Sequence, residues 1–201
     1  MIENVEVYGL HESVKASKYP MAIDVNECTD EITPRVKSLG KCDVGTGHDN
    51  FLNGIIVQFD LTLTIKAWTE AERYHFFDFV SSQSTMHRIA KFDLDNAYIE
   101  YVDPRIVDII KEKIREYNEI PDPIDRVEEN YKAEKYLEIL YSNPCGMKLT
   151  ARMTTNYRQL KTIYYQRRNH RLPEWRSFCK WIETLPHFAE MILEKRPENA
   201  E

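Results

Sequence analysis

The sequence contains no long apolar run: no segment approaches the roughly 18 uninterrupted apolar residues that a membrane-spanning helix requires. Its first ten residues, MIENVEVYGL, include two acids and lack the apolar stretch of a secretory signal. We therefore expect a soluble, cytoplasmic protein without a membrane partner.

Cysteine is scarce and scattered. The four cysteines, Cys28, Cys42, Cys145 and Cys179, form no CxxC pair, and none has a histidine at zinc-finger spacing. This distribution predicts reduced thiols in a cytosolic protein, and no metal site is expected.

Glycine-rich phosphate loops are also missing. The chain has six glycines, and they form neither GxGxxG nor GxxxxGK followed by Ser or Thr. Their absence argues against a Rossmann or a P-loop nucleotide site. Internal repeats, low-complexity tracts and linkers are absent too, so 201 residues indicate one domain over 1–201, with a frayed polar tail at 194–201.

Positive charge is concentrated in one segment of an acidic chain. Residues 152–180 hold eight Lys or Arg and one acid, a local charge of +7, whereas the whole chain carries −6. Such a segment suggests an anion-binding surface, although a solvated helix face is the simpler alternative. The acidic balance disfavours a general nucleic-acid binder, which usually carries a basic domain.

The clearest secondary-structure signal is a long strand over 54–65. Apolar and polar residues alternate from Ile55 to Ile65, which is typical of a strand buried on one face. We predict that this face carries Ile55, Val57, Phe59, Leu61 and Leu63. Val5, Val7 and Gly9 suggest a short opening strand.

Helices account for most of the remaining pattern. Thr33-Pro34 and Asp103-Pro104 are caps followed by proline at the first helical position. The predicted inward residues are, by segment, Trp68, Ala71, His75 and Phe79; Ile106, Ile109, Ile110, Ile114 and Tyr117; Val127, Tyr131, Leu137 and Leu140; Tyr157, Leu160 and Tyr164; and Trp175, Phe178 and Ile182. Arg158, Lys161, Arg167 and Arg168 are expected off the buried stripe. Together these elements predict an α/β chain with one sheet and packed helices.

Two stretches resemble the flavin-dependent thymidylate synthases, tetrameric enzymes unrelated to the classical thymidylate synthase. The first is GHDNFLNGIIVQFDLTLTIKAWTEAERYHFFDFVSSQSTMHR, similar to that family's histidine loop, long strand and signature region. The second is TNYRQLKTIYYQRRNHRLPEWR, similar to the family's Asn-x-Arg helix with a downstream Arg and Glu-x-Arg. This resemblance implies an α+β fold with a central, mostly antiparallel sheet.

The signature region departs from the family pattern. Arg73-Tyr74-His75 stands where Arg-His-Arg belongs, and the Asn-Glu pair is absent. Ser84 matches the second signature serine only with one inserted residue, and Met86 then occupies the place of a nucleotide-binding arginine, for which Arg88, two residues further on, is the expected substitute. The pattern is closer to divergent relatives encoded by bacteriophages, which would place the protein in a host cytoplasm.

The resemblance implies roles for individual residues. The implied flavin-binding residues are His48, Arg73, Tyr74, His75 and Asn156. The implied nucleotide-binding residues are Arg158, Arg167, Arg168, Arg176, Ser84 and Arg88, with the choice between Arg167 and Arg168 left open. Guanidinium groups suit a phosphate or a uracil edge because their planar fork makes two bonds at once.

Three functions follow as alternatives. The first is an FAD-dependent enzyme that methylates dUMP to dTMP with methylenetetrahydrofolate and NADPH, or that hydroxymethylates another pyrimidine nucleotide. The second is a nucleotide- or flavin-binding homologue without catalysis. The third, which we disfavour, is an RNA or single-stranded DNA binder that stacks bases on Tyr157, Tyr164, Tyr165, Trp175 and Trp181. The family's composite pockets also imply a homo-oligomer, with a tetramer favoured over a dimer.

Overall fold

The structure is a computed structural model that describes residues 2–193. The predicted frayed tail at 194–201 lies outside the described residues. Helices pack on one four-stranded antiparallel sheet, which confirms the predicted α+β class. No helix within residues 2–193 is long and apolar enough to cross a membrane.

The sheet has four strands in the spatial order β1-β2-β4-β3. Their bounds are β1 Ile2–Tyr8, β2 Ile56–Thr64, β3 Phe77–Ser82 and β4 Lys148–Asn156. β1 pairs with β2 in antiparallel register, with Val7 opposite Val57. Gly9 lies just beyond β1 with a φ of 71°, a left-handed conformation that a side chain would strain, so the strand ends at Tyr8.

Nine helices lie within the described residues: α1 Leu10–Ala16, α2 Pro34–Lys41, α3 Ile65–Ala71, α4 Thr85–Arg88, α5 Pro104–Glu119, α6 Arg126–Ser142, α7 Tyr157–Arg167, α8 Pro173–Ile182 and α9 Phe188–Ile192. The two caps predicted from proline are present. The Thr33 hydroxyl accepts from the Val36 amide, and the Asp103 carboxylate accepts from the Arg105 amide.

The described residues form two compact units. The first unit comprises residues 2–61, 71–80 and 152–193, and the second comprises 62–70 and 81–151. The prediction of a single domain over 1–201 stays a prediction.

The first unit has an aromatic core behind β2. The ring of Phe59 lies 4.7 Å from that of Trp181 and 5.9 Å from that of Phe178. All five residues predicted for the inner face, Ile55, Val57, Phe59, Leu61 and Leu63, are buried, which confirms the strand register.

The second unit has an aliphatic core. Its buried members are Ile89, Leu94, Ile110, Ile114, Ile139 and Met147. The indole of Trp68 on α3 donates to the carbonyl of Leu149 at 3.0 Å, which ties α3 to the start of β4.

The helix that the sequence predicts after β2 is longer than the helix observed there. α3 ends at Ala71, and an unpredicted strand, β3, begins at Phe77. His75 and Phe79, expected to face inward, are exposed. The physical reason is the turn at 72–76, where Phe76 adopts a φ of 56°, followed by the β-favouring run Phe-Asp-Phe-Val.

The predicted buried faces of α5 and α6 were partly wrong. Ile106 and Ile109 on α5 are exposed, and so are Val127, Tyr131 and Leu137 on α6. α6 carries apolar residues on two sides, and the side that is buried centres on Ile139. Periodicity alone did not distinguish these two sides.

Candidate functional site

Asn156 fixes the start of α7. It is the last residue of β4, and its side-chain oxygen accepts a hydrogen bond from the Gln159 amide at 2.8 Å. Tyr157, Leu160 and Tyr164 are buried as predicted. Burial raises the pKa of the Tyr157 hydroxyl, which donates to the Pro186 carbonyl at 2.7 Å. The first turn of α7 is therefore anchored, and the side chain of Arg158 projects from this turn beside the buried stripe.

A buried ion cluster joins α7 to the loop before β2. Asp49 is fully buried, and its Oδ1 accepts from Arg158 Nε at 3.0 Å. Its Oδ2 accepts from Lys161 Nζ at 2.9 Å, and Lys161 Nζ also donates to the Cys42 carbonyl. The structure therefore corrects the prediction for Lys161, which is only 2% exposed and lies inside the fold.

Sequence reasoning missed this cluster. Asp49 follows His48 in a loop whose sequence has no hydrophobic periodicity, so no pattern predicted that Asp49 is buried. The one available signal was the position of Lys161: it lies one residue beyond Leu160 and four before Tyr165, at the edge of the buried stripe. A lysine there needs a buried partner if its amine is not to reach water.

An open cleft of about 200 Å³ lies beside the cluster in the first unit. It is lined by Val44, Gly45, Asn53, His75, Phe76, Asn156, Arg158, Gln159 and Thr162. Three of the residues predicted for ligand binding, His75, Asn156 and Arg158, are thus brought together. The lining offers a cation, amides, a hydroxyl and an imidazole, which are groups that bind phosphate and sugar oxygens.

A second group forms around Arg167. Its Nε donates to the Tyr74 hydroxyl at 2.6 Å, and its guanidinium carbon lies 5.4 Å from the Tyr74 ring centre and 4.9 Å from that of Trp175. Nη1 of Arg167 lies 2.8 Å from Nε2 of His170. Arg167 and Tyr74, two further predicted residues, therefore belong to one packed arrangement.

Arg168 and Arg176 lie outside both groups. Arg168 is exposed, with its guanidinium 5.2 Å from the Tyr165 ring centre. Arg176 Nη1 donates to the carbonyls of His170 and Arg171 at 2.7 and 2.8 Å, so it closes the turn between α7 and α8.

The remaining residues predicted to bind ligands make fewer contacts within the protein. The side chains of His48 and Arg73 are exposed and make no hydrogen bond within the described part of the chain. Ser84 precedes α4 in the second unit and gives that helix no side-chain cap, and Arg88 ends α4 as an exposed residue.

The basic segment is less basic than its composition suggests. Several of its cations have carboxylate partners: Arg158 and Lys161 share Asp49, and Arg152 pairs with Glu6 and Asp60. Three of the five rings considered for base stacking, Tyr157, Tyr164 and Trp175, are buried. Both findings weigh against nucleic acid as the ligand.

No group of three or more His, Cys, Asp or Glu within residues 2–193 could hold a metal ion. The four cysteines are free; Cys179 is buried and Cys145 is exposed.

Comparison with known proteins places the fold. No sequence-family model and no curated protein matches the chain. Two solved structures of the flavin-dependent thymidylate synthase ThyX from Helicobacter pylori, each with FAD and dUMP, are similar, with TM-scores of 0.66 and 0.65. The match covers 96% of this chain and 97% of each of those chains, at 15% and 14% identity. At this identity the likeness shows the fold, so the predicted ThyX-like α+β fold is confirmed.

Proposed function

We propose that this chain binds FAD and a pyrimidine deoxynucleotide and methylates dUMP to dTMP, with methylenetetrahydrofolate as carbon donor and NADPH as reductant. The observation that carries the proposal is the cleft at the start of α7, where His75, Asn156 and Arg158 meet on a ThyX-like fold. The two solved ThyX structures hold FAD and dUMP, the ligands proposed here.

The residues of the cleft fit a phosphate-bearing cofactor. Arg158 supplies a cation whose Nη1 and Nη2 make no hydrogen bond within residues 2–193. Asn53 and Gln159 supply side-chain amides, and His75 supplies an exposed imidazole. FAD, when bound, would supply the hydride transfer that reduces the transferred carbon unit.

In this proposal the residues of this chain bind and orient the flavin and the nucleotide. His48, Arg73, Tyr74, His75 and Asn156 are proposed to contact the flavin. Arg158, Arg167, Arg168, Arg176, Ser84 and Arg88 are proposed to bind the nucleotide. Arg167 is already held by Tyr74 and Trp175, so its guanidinium needs little ordering when an anion arrives.

The proposal includes a homo-oligomer, with a tetramer favoured over a dimer. Ser84 and Arg88 belong to the second unit, whereas the other proposed ligand-binding residues belong to the first. The support for an oligomer is the family resemblance, which implies pockets built by several copies of the chain.

The test begins with the absorbance spectrum of freshly purified protein, repeated after addition of FAD and dUMP. We expect a bound flavin spectrum that changes when dUMP is added. Turnover is then measured as dTMP formed from dUMP, methylenetetrahydrofolate and NADPH. Protein that binds neither FAD nor dUMP would overturn the proposal.

A second candidate function is nucleotide or flavin binding without turnover. It is favoured by the replacement of Arg-His-Arg with Arg73-Tyr74-His75, of which Arg73 is exposed and makes no hydrogen bond within the described residues. Flavin binding without dTMP formation would select this candidate. A hydroxymethylated product, identified by mass, would instead select the related reaction on a pyrimidine nucleotide.

A further inference from the structure

Asp49 is the most deeply buried charged residue near the cleft, and it reaches no ligand itself. Its side chain is inaccessible to solvent, and both of its oxygens are used by α7, one by Arg158 and one by Lys161. Any influence of Asp49 on a ligand therefore passes through one of these two cations, or through the loop that it anchors to α7.

Lys161 is an implausible route for that influence. Its side chain is 3% exposed, and its amine is occupied by Asp49 and the Cys42 carbonyl. It does not line the cleft. Its contacts instead hold the loop from Cys42 to Asp49 against α7.

Arg158 offers a direct route. Its side chain is 26% exposed and lines the cleft, and Asp49 engages it only through Nε. A bond at Nε fixes the plane of the guanidinium and leaves the two Nη groups without a hydrogen bond inside residues 2–193. Those two groups form the fork that meets two oxygens of a phosphate.

The charges favour the same ligand chemistry. One carboxylate faces two cations, so the cluster carries an excess of one positive charge. Because Lys161 is enclosed, the part of this excess that a ligand can meet is the guanidinium of Arg158. A phosphate oxyanion would neutralise it.

We infer that Asp49 is a positioning residue, which holds Arg158 through Nε so that its Nη fork receives a phosphate group in the cleft. This inference rests on the proposed function, because the phosphate is that of FAD or of the nucleotide. Preorganisation of a single long side chain is worth about two- to tenfold in affinity.

The test compares Asp49→Asn with Lys161→Met, which serves as the matched control. Both variants disrupt the same buried cluster, but only the first removes the negative charge that holds Arg158, leaving at most a neutral amide acceptor at its Nε. Affinities for FAD, dUMP and riboflavin are measured by calorimetry, and the melting temperature is measured in parallel. Riboflavin lacks the phosphates, and the FAD and dUMP arms show which ligand supplies the group.

We expect both variants to melt at lower temperature. D49N should also lose about two- to tenfold in affinity for FAD or dUMP, with riboflavin unaffected, whereas K161M should bind as wild type does. In an Arg158→Ala background, D49N should cause no further loss of affinity, because the residue through which it acts is gone.

Three outcomes would overturn the inference. Equal losses of affinity in D49N and K161M would mean that Asp49 only folds the loop. Unchanged affinity in D49N would mean that Arg158 needs no positioning. Wild-type protein that binds neither FAD nor dUMP would reject the proposed function, and this inference with it, whereas the first two outcomes leave the proposed function intact.

A spectroscopic measurement decides the matter if D49N does not fold. In nitrogen-15 labelled wild-type protein, the Nε–H signal of Arg158, assigned with Arg158→Lys, should stay in place on titration with the phosphate ligand while its Nη signals shift. A shift at Nε without one at Nη would overturn the inference.

Discussion

Lys161→Met tests whether the ion cluster under α7 is part of the folded core. Lys161 is 2% exposed and donates to Asp49 and to the Cys42 carbonyl. Methionine keeps most of the apolar stem but removes the charge, so Asp49 retains only Arg158 as its partner. The free energy of unfolding should therefore fall.

The size of the change follows from the burial of both partners. Removing one member of a buried ion pair costs about 3–5 kcal/mol, and a single hydrogen bond to a charged group contributes about 1.5–3 kcal/mol. Because Arg158 still faces Asp49, we expect less than the cost of leaving a buried charge wholly unpaired, about 2–3 kcal/mol. In a chain of this size that lowers the melting temperature by about 4–12 °C.

The assay is thermal unfolding of wild type, K161M and a control, Lys37→Met. Lys37 pairs with Glu190 at 2.6 Å, but both side chains are more than a third exposed, so its loss should change the melting temperature little. Equal melting temperatures for the two variants would refute the reasoning, because Lys161 would then behave as a solvated lysine.

Three further predictions concern other parts of the chain. Burial raises the pKa of the Cys179 thiol to about 12, above its unfolded value, so its contribution to stability is complete below about pH 8.5 and is lost as pH rises toward 12. In Cys179→Ala the free energy of unfolding should therefore fall less steeply with pH above about 8.5, by up to about 1.4 kcal/mol per pH unit, and equal slopes in the variant and the wild type would contradict this. Arg167→Ala should lower the melting temperature because Arg167 packs on Tyr74 and Trp175, whereas Arg168→Ala should not. The same two variants also test which arginine binds the phosphate: its loss should reduce the affinity for dUMP about ten- to hundredfold and leave the affinity for uridine unchanged. If both variants bind dUMP as the wild type does, neither arginine belongs to the site. Sedimentation velocity at micromolar concentration should show a tetramer, and a monomer would count against a site shared between copies.

The parts of the fold that the sequence predicted are those with a repeating pattern. β2 has a strict alternation, so its five inner residues were identified correctly. α7 and α8 carry one apolar stripe each, and the six residues predicted to be inward on them are buried, although the burial of Lys161, Ile163 and Cys179 was not predicted. β3 was not predicted because only its first residue is buried, so the strand lacks an alternation of buried and exposed residues.

The candidate site was predictable only where one residue type carries the chemistry. The lysines and arginines concentrated in residues 152–180 indicated an anion site, whereas Asn156 was implicated only by the family resemblance, and its role as the cap of α7 is seen in the structure. Asp49 and Lys161 could not be paired in advance, because they lie 112 positions apart and long-range ion pairs leave no local period. The proposed roles of all these residues in binding remain predictions.

The distance between Asp49 and Lys161 along the chain also bears on the order in which the protein becomes competent to bind. During synthesis the loop at Asp49 emerges well before α7, so its carboxylate stays hydrated until residues 158 and 161 arrive. A contact between residues so far apart in the sequence closes a long loop at an entropic cost, and such contacts are expected to slow folding. A ligand that engages Arg158 in the cleft would bind the folded chain, in which this contact is made, in preference to the unfolded chain. At a hundred times its dissociation constant, such a ligand would favour the folded chain by about 2.7 kcal/mol, which would link ligand supply to the lifetime of newly made protein.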